Sequence, residues 1–508
     1  MGSSEFINNN SVKSSNKYLL YLLSILFFFT ACKHTEKAVP KLFDQLPADS
    51  TGINFTNQLP VDDQFNIFTY RNFYNGCGVA LGDINNDGLI DIFFTANVLP
   101  NRLFLNKGNF KFEDITAKSG IQKKSKWSTG VSMVDVNGDG FLDIYVCNSG
   151  DIKGDNKQNE LYINNGNSTF TERAEEYGLA VKGFSTHAAF FDYDHDGDLD
   201  MFLLSNSFKP IGSFNLQQNE RNIRDSMGGH KLFRNDGGHF TDVSAAAGIY
   251  GSVIGFGLGV TVGDVNNDGW QDIYVSNDFF ERDYLYINNK NGTFKEVLEN
   301  QMHSISNASM GADMGDINND GHPDIFVTEM LPELESRIKV NTTFENWDKY
   351  TLDLKYDYWN QFTRNTLQLN NGNNTFSEIG RLAGVHATDW SWGALITDLN
   401  NDGYKDIFIA NGIYKDLTNE DYIQYISNYE VMNGIMSSKD KDKSAFKKLI
   451  DLMPSNPLSN YAYSNNGDLT FTNKAKEWGL DAPGFSNGSA YADLDNDGDL
   501  DLVVNNVN

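Results

Sequence analysis

Short apolar triplets recur along the chain, each directly behind an Asp: Ile92-Phe-Phe, Ile144-Tyr-Val, Met201-Phe-Leu, Ile273-Tyr-Val, Ile325-Phe-Val, Ile407-Phe-Ile and Leu502-Val-Val. They are rich in β-branched and aromatic residues and bounded by turn formers, so they read as buried strands. A second apolar run leads into each, as in Val79-Ala-Leu. A third ends in Asn-x-Gly: Leu103-Phe-Leu-Asn-Lys-Gly108, Leu161-Tyr-Ile-Asn-Asn-Gly166, Leu232-Phe-Arg-Asn-Asp-Gly237 and Leu367-Gln-Leu-Asn-Asn-Gly372. A fourth carries one of Phe112, Phe170, Phe240, Phe294, Phe376 and Phe471. Four strands per repeat and seven repeats predict an all-β, seven-bladed β-propeller over residues 41–508, in which each blade buries both faces against its neighbours.

Between the first and second strands stands one nonapeptide, D-x-[DN]-x-D-G-x-x-D. It starts at Asp83, Asp135, Asp192, Asp264, Asp316, Asp398 and Asp493. Intervals of 52 to 95 residues belong to propellers or solenoids. They displace the three-domain division that 508 residues alone would suggest.

A calcium-sized cation takes six to eight oxygens. Side chains at positions 1, 3, 5 and 9, with the carbonyl at 7, can converge on one, while Gly at 6 permits the sharp turn. The first loop offers Asp83, Asn85, Asp87, the Leu89 carbonyl and Asp91; the second Asp135, Asn137, Asp139, the Phe141 carbonyl and Asp143. The third offers Asp192, Asp194, Asp196, the Asp198 carbonyl and Asp200; the fourth Asp264, Asn266, Asp268, the Trp270 carbonyl and Asp272. The fifth offers Asp316, Asn318, Asp320, the His322 carbonyl and Asp324; the sixth Asp398, Asn400, Asp402, the Tyr404 carbonyl and Asp406. The seventh offers Asp493, Asp495, Asp497, the Asp499 carbonyl and Asp501.

An all-oxygen set points to Ca²⁺, about one per loop and up to seven, rather than zinc or copper. An EF-hand is excluded: its twelfth-position Glu is Phe94, Val146, Leu203, Val275, Val327, Ile409 or Val504 here. The competing reading is a set of Asx turns without metal. Asp198 and Asp499, with carbonyls in the ligand set, are expected to leave their side chains solvated, as is His195 at a fourth position.

These repeats, with Trp390-Ser-Trp-Gly393 before the sixth loop, resemble the VCBS/FG-GAP repeats of the integrin alpha-subunit propeller and bacterial relatives of cartilage acidic protein. The resemblance implies a calcium-binding propeller, usually followed by an ASPIC/UnbV domain that is not visible here. Leu42 to Ile53 resembles the fourth-strand segments 112–121 and 240–249, so the N-terminal segment is expected to supply the outer strand of the last blade. That blade has two strands near 488–506 and no third, which points to an N-terminal fragment of a longer protein.

Ahead of the repeats, Lys13 and Lys17 precede a 13-residue apolar run, Tyr18–Thr30, followed by Ala31-Cys32. This describes a secretory signal, too short to span a bilayer. Phe29-Thr-Ala-Cys32 resembles a bacterial lipobox, which implies lipidation of Cys32, a tether over 33–40 and an extracytoplasmic, envelope-anchored location. Membrane association is expected through that lipid alone. A net charge of −28 argues against nucleic acid, and three Cys exclude a disulfide scaffold. Cys77 and Cys147 are open to pairing or to burial as free thiols. The nonapeptides hold 25 Asp, no Glu and one Lys, so they carry −24 of that charge.

Three long insertions, 207–229, 331–364 and 412–459, fall between second and third strands, on the face opposite the Asp loops. The last reads as helical, with a Thr418/Asp421 capping box and a second helix over 444–453. Binding usually sits on such insertions, and Trp347, Tyr358 and Trp359 are candidates for holding a protein or glycan. No catalytic constellation stands out. Gly484-Phe-Ser-Asn-Gly488 matches a nucleophile motif but leads into a strand. The leading reading is a non-enzymatic binding or adhesion module. The alternatives are a polysaccharide-active lyase or hydrolase, or a spacer for a further domain.

Overall fold

The computed structural model describes residues 41–507 apart from 61–64, 71–72, 122–126, 151–156, 208, 210–218, 343–346 and 438–443. The signal segment, Cys32 and the tether therefore lie outside the described residues. Phe43–Asn508 is one compact unit.

Six four-stranded antiparallel sheets follow one another, and a two-stranded sheet, Ser486–Ala492 with Asp501–Asn506, comes last. Each complete sheet runs in chain order from its first to its fourth strand. First strands of successive sheets touch, and Ser486–Ala492 touches the first strands of both the sixth sheet (Ser391–Thr397) and the first (Val79–Gly82). The chain is thus a β-propeller of six complete blades, with the two-stranded sheet standing between the sixth blade and the first.

The apolar triplets are buried on both faces because a sheet packs on either side. Asp143–Asn148 and Asp272–Asn277 are buried at every residue. The core is a set of wedges between successive sheets. One joins Phe93 and Leu103 to Val131, Ile144 and Tyr162; another joins Phe326 and Leu367 to Ile407 and Tyr463. The two-stranded sheet takes part in two wedges. Leu502 and Val504 face Phe408 of the sixth blade, and Val503 faces Ile92 and Phe94 of the first.

Two devices bind blade to blade. The Asn closing each third strand donates both amide hydrogens. Asn164 reaches the Leu142 carbonyl of its own loop at 3.0 Å and the Ile84 carbonyl of the preceding loop at 2.7 Å. Asn106, Asn235, Asn288, Asn370 and Asn465 do the same. The second device is a glycine in the turn after the fourth strand of the first three blades, Gly120, Gly178 and Gly248. Gly120, at φ 85°, lies flat against the Phe170 carbonyl of the next blade, where an added Cβ would sit 2.6 Å from that oxygen.

The N-terminal segment uses the same contacts. Gly52 abuts the Phe112 carbonyl as Gly120 abuts that of Phe170. Phe43 donates its N–H to the Trp478 carbonyl as Phe170 donates to that of Ser119. Residues 43–53 therefore stand at the outer position of the last sheet, yet they form no strand. Among the described residues no third strand lies beside them to complete a ladder.

The insertions lie where expected, between second and third strands. Those over 331–364 and 412–459 carry helices Glu335–Asn341, Trp347–Lys355, Glu420–Ser427, Tyr429–Ser437 and Ala445–Leu452. The helix at 420 is capped by Asn419, which accepts the Tyr422 N–H, not by Thr418. The Thr418 hydroxyl is instead taken up by the Asn341 amide. Beneath the insertions an aromatic cluster of Tyr70, Phe73, Tyr74, Trp127 and Trp390 spans several blades. Residues 54–78, which join the outer position of the last sheet to the first blade, supply much of it.

Gly120→Ala should destabilise the fold by roughly 2–3 kcal/mol, because it adds both a left-handed alanine and a backbone clash. Denaturant unfolding measures this; a change within about 0.5 kcal/mol would remove the close approach from the account.

Candidate metal centres

Each loop is folded by its own carboxylates. The position-1 Asp accepts the N–H of the position-6 Gly, at 2.7 Å for Asp83 and Gly88, and that of the position-5 residue. The position-5 Asp accepts the N–H two residues on, as Asp87 does from Leu89 at 2.9 Å. All seven loops repeat both bonds to Gly and to position 7. Asn85, Asn137, Asn318 and Asn400 donate a side-chain amide to their position-5 Asp, and Asn266 accepts from the Asp268 N–H. Backbone N–H groups thus draw the acids of positions 1, 5 and 9 around one turn.

The position-9 Asp is the most constrained. Asp91, Asp143, Asp200, Asp272, Asp324 and Asp406 are fully buried. In Asp91, Oδ2 accepts the Ile84 N–H at 3.0 Å and Oδ1 accepts the Asn106 N–H at 2.7 Å. The carboxylate therefore ties its loop to the third strand of the same blade. Burial, with a further push from the neighbouring acids at positions 1 and 5, raises Asp91, Asp143, Asp272 and Asp324 to about 7 and Asp406 to about 6. Asp200 also reaches about 7 and Asp501 about 6, chiefly through burial.

The donor sets fit a hard cation best in the third and seventh loops. One carboxylate oxygen each from Asp192, Asp194 and Asp200 lies within 4.8 Å of the others, and the same holds for Asp493, Asp495 and Asp501. Asp194 Oδ1 and Asp495 Oδ1 are buried with no hydrogen-bond partner. A buried, unpaired carboxylate oxygen is unfavourable unless something positive approaches it.

Position 4, to which the sequence reading gave no role, links the loops. It is left-handed in all seven, at φ 57° for Asn86 and 59° for His195. Asn86 donates to the Gly140 carbonyl of the next loop, Asn267 to Gly321, Asn319 to Gly403, and Asn496 to Gly88. His195 stacks on Trp270 at 3.9 Å. Asn401 donates to Asp499 Oδ1, and Asp198 Oδ2 accepts the Gly237 N–H. The side chains of His195, Asp198 and Asp499 are therefore engaged, not simply solvated. The readable signal was the recurrence of Asn and Gly at a position that must be left-handed.

The aromatic candidates separate. Trp347 is 75% exposed, whereas Tyr358 is 2% exposed and Trp359 donates its indole N–H to the Met302 carbonyl. Tyr358 and Trp359 thus pack their insertion onto the blades. Ser486 of the nucleophile-like motif is buried on a strand and donates to Asn506 Oδ1. Cys77 and Cys147 are buried free thiols.

The insertion face also holds a polar cavity of about 340 Å³, lined by Arg221, Tyr250, Arg282, Glu296, Glu299 and Asp357 among others. Arg221 pairs with buried Glu281 and with Asp357, and Arg282 with Glu296. Glu299 is raised by its burial and by a hydrogen bond with Asp357. Asp357 is lowered despite burial, because that bond and Arg221 favour its ionised form. No sequence motif marks this cavity, since its residues come from two insertions and three further segments of the third and fourth blades.

No helix among the described residues is long and apolar enough to cross a membrane. The FG-GAP-like repeat model matches residues 83–146, 149–203, 264–327, 342–409 and 449–504, more than half of the chain. Cartilage acidic protein 1 of Xenopus tropicalis is 32% identical over 133 residues, which cover 26% of this chain and 20% of that protein. Human integrin alpha-6 is 37% identical over 83 residues, 14% of this chain and 7% of its own length. The chain thus spans less than a third of the length of these relatives. A solved Agrocybe aegerita lectin overlaps 85% of this chain and 86% of its own at 14% identity and TM-score 0.40, too weak a likeness to carry a ligand or a blade count. With its repeats matched across most blades and its six complete sheets in propeller order, the chain belongs to the FG-GAP-like repeat family.

Proposed function

We propose that this chain is a seven-bladed, calcium-loaded propeller that binds a protein or glycan on its insertion face, held at a bacterial cell envelope by a lipid on Cys32. The observation that carries the metal reading is the pair of buried, unpartnered oxygens on Asp194 and Asp495 within their three-carboxylate clusters. In each loop, positions 1, 3, 5 and 9 with the position-7 carbonyl would hold Ca²⁺, about one per loop and up to seven. The ion would supply the positive charge that the crowded carboxylates lack. The two-stranded sheet counts as the seventh blade because Asn496 and Asn106 tie it to the first as other blades are tied.

Binding is assigned to the insertion face because Trp347, Tyr425 and Tyr429 are exposed there and the polar cavity opens beside the insertions. Within the polar cavity, the Glu299–Asp357 pair, which shares a hydrogen bond, does not supply the carboxyl separation of about 5 Å or more that two-carboxylate glycoside hydrolysis needs.

Chelation should lower the melting temperature, and calcium at about a hundredfold excess over its Kd should restore about 2.7 kcal/mol per site. Absence of bound calcium and of any shift in melting would refute the metal reading. The position-9 acids are raised in the fold. In chelator their stabilising protonation is therefore present at low pH and lost as pH rises through about 7. Melting in chelator should fall from about pH 5 to about pH 8, while the gain from calcium, which displaces those protons, should grow.

Asp194→Asn separates a cation site from a plain Asx turn. It should leave stability in chelator unchanged or up to about 1 kcal/mol higher, yet reduce the gain from calcium; equal effects in both media would favour the turn. Cys32→Ser should move the protein from membrane to soluble fractions. Trimming 331–364 and 412–459 should abolish glycan-array or pull-down signals while leaving the calcium response intact.

A further inference from the structure

The polar cavity of about 340 Å³ draws its wall from three blades on the insertion face. Arg221 comes from the insertion of the third blade and Asp357 from that of the fifth. Arg282 stands in the link between the second and third strands of the fourth blade. Glu296 ends the fourth strand of that blade, and Glu299 lies in the helical turn Leu298–Gln301 behind it. Small-molecule sites span about 300–1,000 Å³. This cavity is at the lower end, so it suits one small polar unit, not an extended chain.

The wall is built from charges that hold one another. Arg221 pairs with buried Glu281 and donates to Asp357 Oδ2 at 2.9 Å. Arg282 donates to Glu296 at 2.6 Å and stands 3.1 Å from Glu299. The other oxygen of Glu296 accepts the Leu298 N–H at 2.9 Å. These pairs fix the wall before any ligand arrives.

The groups left over are of both kinds. Arg282 is 3% exposed, yet its Nε is buried with no partner. Among the described residues, the side-chain amides of exposed Asn222 and Asn300 and the Tyr250 hydroxyl make no hydrogen bond. Glu299 and Asp357 are part-exposed and hydrogen-bonded to each other, which requires one proton between them. Two guanidiniums therefore face four carboxylates, and that proton leaves a surplus of one negative charge.

We propose that this cavity seats one neutral sugar residue of a glycan, with Glu299 and Asp357 accepting from its hydroxyls and Arg282 Nε donating to one of its oxygens. The proposal rests on the reading of the insertion face as a binding face, and names the ligand class for one site on it. A hydroxyl both donates and accepts, and a sugar carries several side by side, so it matches the mixed set of unused groups. A basic side chain would satisfy Glu299 and Asp357 but leave Arg282 Nε buried and unpaired, which is unfavourable. An acidic sugar would meet the surplus negative charge in a confined site.

The test uses the full 508-residue chain in calcium and saturation-transfer NMR. The probes are the methyl glycosides of glucose, galactose and mannose, their 2-acetamido forms, and methyl glucuronide. At least one neutral glycoside should bind saturably, and at least about tenfold more weakly to Glu299→Gln and to Asp357→Asn. Both variants keep side-chain shape at part-exposed positions, so melting in calcium should stay unchanged. Methyl glucuronide should bind at least about tenfold more weakly than the best neutral glycoside, and Glu299→Gln should narrow that gap. Neutral binding that both variants leave intact would overturn the inference, as would tighter binding of the glucuronide. A hexa-arginine peptide that binds in place of the glycosides and is lost in Glu299→Gln would make the cavity a cation pocket and overturn it too. No glycoside binding, with pull-down signals retained, would overturn this inference and leave the binding face standing. Absence of both glycan-array and pull-down signals from the parent chain would remove the binding face and the inference with it.

Discussion

In every complete blade one buried carboxylate does two jobs. The position-9 Asp accepts a backbone N–H from the start of its own loop and another from the third strand. That fixes loop to sheet. The third-strand Asn then carries the connection to the preceding blade. Since the acid is fully buried, its charge is costly unless the N–H donors, a proton or a cation offset it. Blade geometry and loop electrostatics are therefore one problem, solved with the same side chain. In the last sheet, where no third-strand Asn is paired with it among the described residues, Asp501 is half-exposed.

The acidity of the chain follows from this arrangement. Nearly all of its net charge of −28 sits in seven nonapeptides. Those nonapeptides lie on one face, joined around the ring by position-4 side chains such as Asn496, which reaches back from the last loop to the first. The opposite face carries the insertions, the aromatic cluster and a cavity in which arginines are matched by carboxylates.

Much of the blade architecture could be read directly. Triplets such as Ile144-Tyr-Val, flanked by Asp and Asn-x-Gly signals, have little freedom to be anything but buried strands. The loop turns were legible too, because the spacing of Asp83, Asp87 and Asp91 around Gly88 admits few other turns. Less legible were contacts whose partners lie far apart in the chain. Thr418 lost the helix cap to Asn419 because Asn341, from another insertion, claimed its hydroxyl. Tyr358 and Trp359 resembled ligand-facing aromatics, yet the blades beneath them decided that they pack inward. The cavity around Arg221 and Asp357 joins residues 136 positions apart and leaves no local pattern.

The sequence by itself determined the repeat, the four strands of the complete blades and the turn of each loop, because these depend on residues within a few positions of one another. Tertiary structure decided which oxygens are spoken for, which aromatics face solvent, and how each blade is tied to the next. Those outcomes depend on the neighbouring blade. The N–H that reaches Asp91 Oδ1, the carbonyl that receives Asn106, and the backbone that leaves no room beside Gly120 are brought in by folding from distant parts of the chain.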